Sequence, residues 1–140
     1  MKTFWVSLMV ESSSLSLHEL SLKLGRPHSS GSHTKGERDA GRERIGRPPW
    51  SKTGWRFDSS VSETASVGEH LENLRVQFPP DELLRLLPAE CTVYVDIAVF
   101  FDTANVSANI SRADIEIIDA YNAALEVTCY PTRFKEEREQ

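Results

Sequence analysis

Cys91 to Thr103 reads CTVYVDIAVFFDT. Val93, Val95, Ile97, Val99 and Phe101 alternate with Tyr94, Asp96, Ala98 and Phe100. A period of two residues puts successive side chains on opposite faces, so this is a strand with two largely apolar faces. One carboxylate interrupts the pattern. Burying Asp96 is costly unless it is paired. Its face is therefore partly exposed, or it bonds an arginine of the long loop.

Reading downstream, DTAN (102–105) is a turn and VSANIS (106–111) a shorter, more polar strand suited to a sheet edge. Ser111 with Asp114 resembles a helix cap, and the helix runs to about Ala124. LEVTCY (125–130) alternates again as a last strand, and KEEREQ (135–140) is a charged, frayed tail. Reading upstream, DELLRLLP is a short helix with Pro80 at its first position and Pro88 at its end. Ser66 and Glu69 form an S-x-x-E capping box ahead of Val67, Leu71, Leu74 and Phe78 on one helical face. Trp55, Phe57 and Val61 alternate as a second strand. Thr3 to Val10 is apolar on both faces and reads as a first strand covered on both sides. Ser16 and Glu19 cap a helix over 16–24, which Gly25 and Pro27 terminate.

The element order is β-α-β-α-β-β-α-β. It predicts an α+β fold, a mainly antiparallel sheet with helices packed on one face. Residues 1–134 form one domain, with a long basic loop at 26–54 and the tail at 135–140. With 39% hydrophobic and 26% charged residues, the chain suits a globular protein. No apolar run reaches the roughly 20 residues of a membrane span. MKTFWVSLMV loosely mimics a signal peptide, but no small-x-small cleavage site follows. Read as a first strand, it implies a cytoplasmic chain. Cys91 and Cys129 both fall in strand-like segments and read as small buried side chains, with a disulfide as the alternative that a reducing compartment disfavours.

Some landmarks recur in a fixed order: Leu24-Gly25, Lys35-Gly36 in a polar loop, Thr53-Gly54-Trp55, GEHLENL, and ISRADIEIIDAYNAALEVTCY closing on Tyr130. In this order the chain resembles DUF4279, a family of small bacterial and phage proteins grouped as a domain of unknown function. The resemblance spans roughly residues 3–130 and supports the fold and the compartment. It carries over no catalytic residue, and the loop is richer in arginine than the family implies.

Chemistry is sparse. His18, His28, His33 and His70 lack zinc-ligand spacing and read as surface or half-buried side chains. No G-x-S-x-G elbow or Walker loop is present. Asp96 and Asp102 are the carboxylates that a reaction site would use. No metal or cofactor is expected, and an enzyme of unknown class is the least favoured reading.

The loop is the remaining feature. Residues 1–56 hold ten Lys/Arg against five Asp/Glu, whereas residues 57–140 hold six against sixteen. The positive excess sits at Lys35, Arg38, Arg42, Arg44 and Arg47. Trp50 could stack a ligand or peg the loop down; Trp55 reads as a buried peg. Long intradomain loops are usually functional or disordered. The favoured reading is a non-enzymatic protein that binds another protein through Lys35, Arg38, Arg42, Arg44, Arg47 and Trp50. By analogy with small compact binders, it would inhibit its target, as toxin-immunity or phage counter-defence proteins do. The alternative is a small-molecule or nucleic-acid binder using the basic loop 35–56. The acidic second half repels phosphate and argues against nucleic acid.

Overall fold

The first strand, β1 (Lys2–Ser12), runs through the middle of the sheet. The computed structural model describes residues 2–38, 40–102 and 107–131, and these form four strands and five helices. β2 (Thr53–Asp58) and β3 (Thr92–Phe101) flank β1, both antiparallel to it. β4 (Ala124–Pro131) adds outside β3 in parallel, giving the order β2-β1-β3-β4. The fold is the mainly antiparallel α+β sheet expected.

Register explains which face became the core. Val10 pairs with Trp55 and Val93, Leu8 with Phe57 and Val95, and Val6 with Ile97. Directly paired residues share a face, so Val6, Leu8, Val10, Trp55, Val93, Val95, Ile97 and Val99 form one apolar floor. Helices α1 (Leu17–Leu24), α3 (Val67–Gln77), α4 (Pro80–Leu86) and α5 (Arg112–Ala120) seat Leu20, Leu24, Leu71, Leu74, Leu83 and Ile118 on it. The opposite face contributes nothing to this cluster, although Ser7, Met9, Ala98 and Phe100 on it are buried. β1 is thus under helices on one side only, not on both.

The helix ends follow local chemistry. Ser16 caps α1 with a complete capping box to Glu19, and Gly25 closes it at φ 70°. Ser66 accepts from the Glu69 amide at α3, and Ser111 forms a complete box with Asp114 at α5. Pro80 opens α4.

Four expectations are corrected. Residues 107–111 form no strand: Ala108 and Ile110 pack against the core instead of pairing with β3. β4 returns parallel to β3 through α5, as a crossover connection requires. Helix α5 stops at Ala120, not Ala124, because the buried Tyr121 hydroxyl donates to the Phe78 carbonyl at 2.6 Å and Asn122 turns the chain at φ 52°. β2 ends at Asp58, so Val61 lies outside it. Cys91 is buried, but Cys129 is exposed on the outer strand; both are free. Most of the expected turn at 102–105 and the whole tail at 135–140 fall outside the described residues.

Candidate functional site

The long loop is tied down along its length. Arg26 lies over the Phe78 ring and pairs with Glu82. His33 and Gly54 exchange backbone hydrogen bonds, each 2.9 Å, extending the β2 edge. Gly36 donates to the Trp50 carbonyl and the Trp50 amide donates to the Glu37 carbonyl. Within the loop a short helix, α2 (Ala40–Arg44), buries no residue.

Trp50 organises this segment. The His33 ring stacks on it at 3.6 Å with an interplanar angle of 12°. The Arg42 guanidinium sits 3.7 Å from the same ring centre. Two groups at that distance cannot share one face, so both faces of the indole are occupied. Burial, and then the Arg42 charge, lowers the His33 pKa, which favours a neutral ring in the stack. Lys35 donates to the Ser13 carbonyl at 3.0 Å, and Arg42 also donates to the Pro48 carbonyl. Arg38, Arg44 and Arg47 are exposed and have no partner among the described residues.

A second cluster lies on the sheet face away from the helices. Arg56, only 7% exposed, donates from Nε to Asp58 Oδ1 at 2.8 Å. Its Nη2 is 3.6 Å from Asp96 Oδ2, close enough for charge attraction but too long for a hydrogen bond. Ser7 also donates to Asp58, at 2.5 Å. Asp96, the carboxylate that interrupted an apolar strand, is therefore paired with an arginine from β2. Asp102 sits exposed just past the end of β3.

A cavity of about 260 Å3 lies beside the first residues of β1. β2 stops opposite Ser7, leaving the segment 59–63 to continue the edge through Ser59 N–H to Val6 O and Phe4 N–H to Glu63 O. Phe4, Trp5 and Phe100 supply aromatic walls, and Ser59 and His70 a polar one. His70 is buried, against expectation, because α3 turns it inward beside Leu71 and Leu74. Its Nδ1 lies 2.5 Å from Ser59 Oγ, and its Nε2 is buried without a partner among the described residues. Burial lowers its pKa.

A family model described as a domain of unknown function (DUF4279) matches residues 1–132. The chain belongs to the DUF4279 family. No curated protein and no solved structure matches it.

In this DUF4279 chain the sequence-chosen loop residues separate into two groups. Arg42 and Trp50 are engaged in one stack and Lys35 in a backbone contact; Arg38, Arg44 and Arg47 point no charge at any described partner. Trp55 is fully buried and packs on Phe57 and Phe78. Among the described residues, no His/Cys/Asp/Glu group could hold a metal ion, and no helix is long and apolar enough to cross a membrane. The DUF4279 cavity gathers Ser59 and His70 rather than Asp96 or Asp102. In a serine–histidine catalytic pair a third group on the far ring nitrogen orients the base; among the described residues none reaches His70 Nε2. Sequence reading missed Arg56 and Ser59; it offered His70 as a companion to Asp96 or Asp102 in a pocket, and the cavity holds His70 without either carboxylate. The one signal for His70 was its place one residue before Leu71, on the buried side of a helical pattern.

Proposed function

We propose that this chain is a non-enzymatic protein-binding protein, and that its partner carries an acidic surface met by Arg38, Arg44 and Arg47. One observation carries the reading: three exposed guanidinium groups, without a partner among the described residues, on a loop that Trp50, His33 and Arg42 hold in place. A fixed loop loses little entropy on binding, and planar guanidinium forks match carboxylates. The finer reading is an inhibitor that covers its target, of the toxin-immunity or phage counter-defence kind. A cytoplasmic setting fits the two free cysteines, one of them exposed.

Two features favour protein over nucleic acid as the partner. The net charge is −5, so the second half of the chain repels phosphate. Trp50, the loop's best base-stacking group, has neither face open.

The test compares the wild-type protein with an Arg38→Ser/Arg44→Ser/Arg47→Ser variant as bait in lysate of the native host. A protein retained by the wild type and lost from the variant supports the reading. Association with that protein should slow in the variant, with a flatter salt dependence. Equal retention by both baits would refute the loop's role. Tight binding of oligonucleotides at low salt, weakening steeply as salt rises, would favour the nucleic-acid alternative.

A further inference from the structure

The two edges of the sheet are treated differently. The chain itself covers the outer edge of β2: the Ser29 amide donates to the Arg56 carbonyl, the Arg56 and Asp58 amides donate to the Ser32 and Ser29 hydroxyls, and His33 and Gly54 bond each other twice. At the other edge, β4 pairs with β3 without a bulge from Ala124 to Pro131. Over residues 125–129 no backbone group that faces away from β3 has a partner among the described residues. A bare edge is a template for another strand, and proteins normally blunt it with lysine, proline or a bulge. Residues 125–129 carry none of the three.

The helical layer also stops short of this edge. Leu125 lies beside Val95, Val127 beside Ile97 and Cys129 beside Val99, each pair on one face. The three β3 residues are fully buried, whereas Leu125 and Val127 are 41% and 42% exposed and Cys129 is exposed as well. An apolar row therefore runs along the bare strand where the core ends. β4 is complementary to itself. Set antiparallel to a copy about Val127, it places Val127 against the partner's Val127, Leu125 against the partner's Cys129 and Glu126 against the partner's Thr128. The helix-side row is then apolar throughout, and no like charges face each other. Pro131 falls opposite the partner's Ala123, just outside the partner's β4, where its missing N–H costs no ladder bond.

We propose that β4 is a self-association surface: two copies of this chain join antiparallel through residues 124–130 about Val127, and their two four-stranded sheets become one continuous sheet. Leu125, Val127 and Cys129 of both copies then pack together over the row that the helices leave uncovered. The basic loop borders β2, at the far edge of the sheet, so dimerisation neither needs nor blocks the protein-binding reading.

The experiment is sedimentation velocity on the full chain from about 1 μM to about 1 mM, the range in which a contact one strand wide dissociates. Reducing conditions exclude a disulfide between exposed Cys129 side chains. The wild type should pass from monomer to dimer as concentration rises. Val127→Glu sets two carboxylates against each other at the axis and should weaken association about tenfold or more. The Glu126–Thr128 contact occurs twice in the dimer. Thr128→Glu should therefore weaken association about three- to tenfold, and Thr128→Lys, which offers Glu126 a cation, should strengthen it by a similar factor. The two Thr128 variants act in opposite directions at one position, so a loss of folding cannot produce both results. A chain that stays monomeric throughout would overturn the proposal and leave the edge to a strand of another protein. So would a dimer indifferent to Val127→Glu, or two Thr128 variants that move association the same way.

Discussion

The His33 ring lies directly on Gly54: a Cβ at that position would fall 2.5 Å from His33 Cε1. Gly54 does not adopt a positive φ, so the requirement is space and not backbone freedom. The same ring is the inner layer of the stack on Trp50. Gly54→Ala must therefore displace His33 and loosen the loop, at about 1–3 kcal/mol on overpacking grounds. His33→Ala in the same chain should recover most of that loss. A double-mutant cycle by denaturant unfolding reads the coupling, and additive effects would show that the ring is not the obstacle.

The loop arginines should divide by engagement. Arg42→Ser should cost about 0.5–1 kcal/mol, because it removes a guanidinium from the Trp50 ring. Arg38→Ser, Arg44→Ser and Arg47→Ser should each stay within about 0.5 kcal/mol. Thermal unfolding of the four single variants checks the ranking.

Core truncations should follow burial. Trp55→Ala, at a fully buried site between Phe57 and Phe78, should cost about 3–5 kcal/mol. Val95→Ala, also fully buried, should cost about 1–3 kcal/mol. A near-zero loss at either would mean that its strand is misplaced.

Arg56 is the riskiest charge to remove. Arg56→Met leaves Asp58 and Asp96 facing each other without their cation. The cost should lie near the lower end of the roughly 3–5 kcal/mol seen when one partner of a buried pair is lost, since both carboxylates retain some exposure. Adding Asp58→Asn and Asp96→Asn should restore much of the stability. Urea midpoints of the single and triple variants test this.

Acid should weaken the fold in two windows. Burial lowers the pKa of His33 and His70, so their folded forms resist protonation; that stability is complete above the ordinary 6.5 and fades as pH falls below it. Glu90 acts lower. Hydrogen bonds from Ser12, above all, and from Ser13 and Ser14 hold its carboxyl at about 2 instead of 4.5. Its contribution is full above about 4.5 and is lost as pH falls from there towards about 2. Unfolding curves at a series of pH values should show both declines, and Glu90→Gln should shrink the lower one, to which Glu19, Glu72 and Glu82 also contribute, while leaving the upper one unchanged.

Local sequence determined what depends on near neighbours. The caps at Ser16, Ser66 and Ser111 and the stop at Gly25 need partners only three or four residues away, so they were legible. The alternation in Thr92–Phe101 named a strand and its apolar face, and the order of elements implied one helical layer on a mainly antiparallel sheet. Tertiary structure decided what depends on distant neighbours. VSANIS looked like an edge strand, but Ala108 and Ile110 gain more by covering the core than by pairing outside β3. Asp96 signalled a need for a cation, yet only the register of β1 against both β2 and β3 brings Arg56 to it. Trp50 read as either platform or peg until His33 and Arg42 took its two faces. The Ser59–His70 pair and its cavity left almost no trace in sequence, because they arise where β2 stops short of β1 and α3 turns one side chain into the gap, and strand length and helix rotation are set by packing rather than by any local motif.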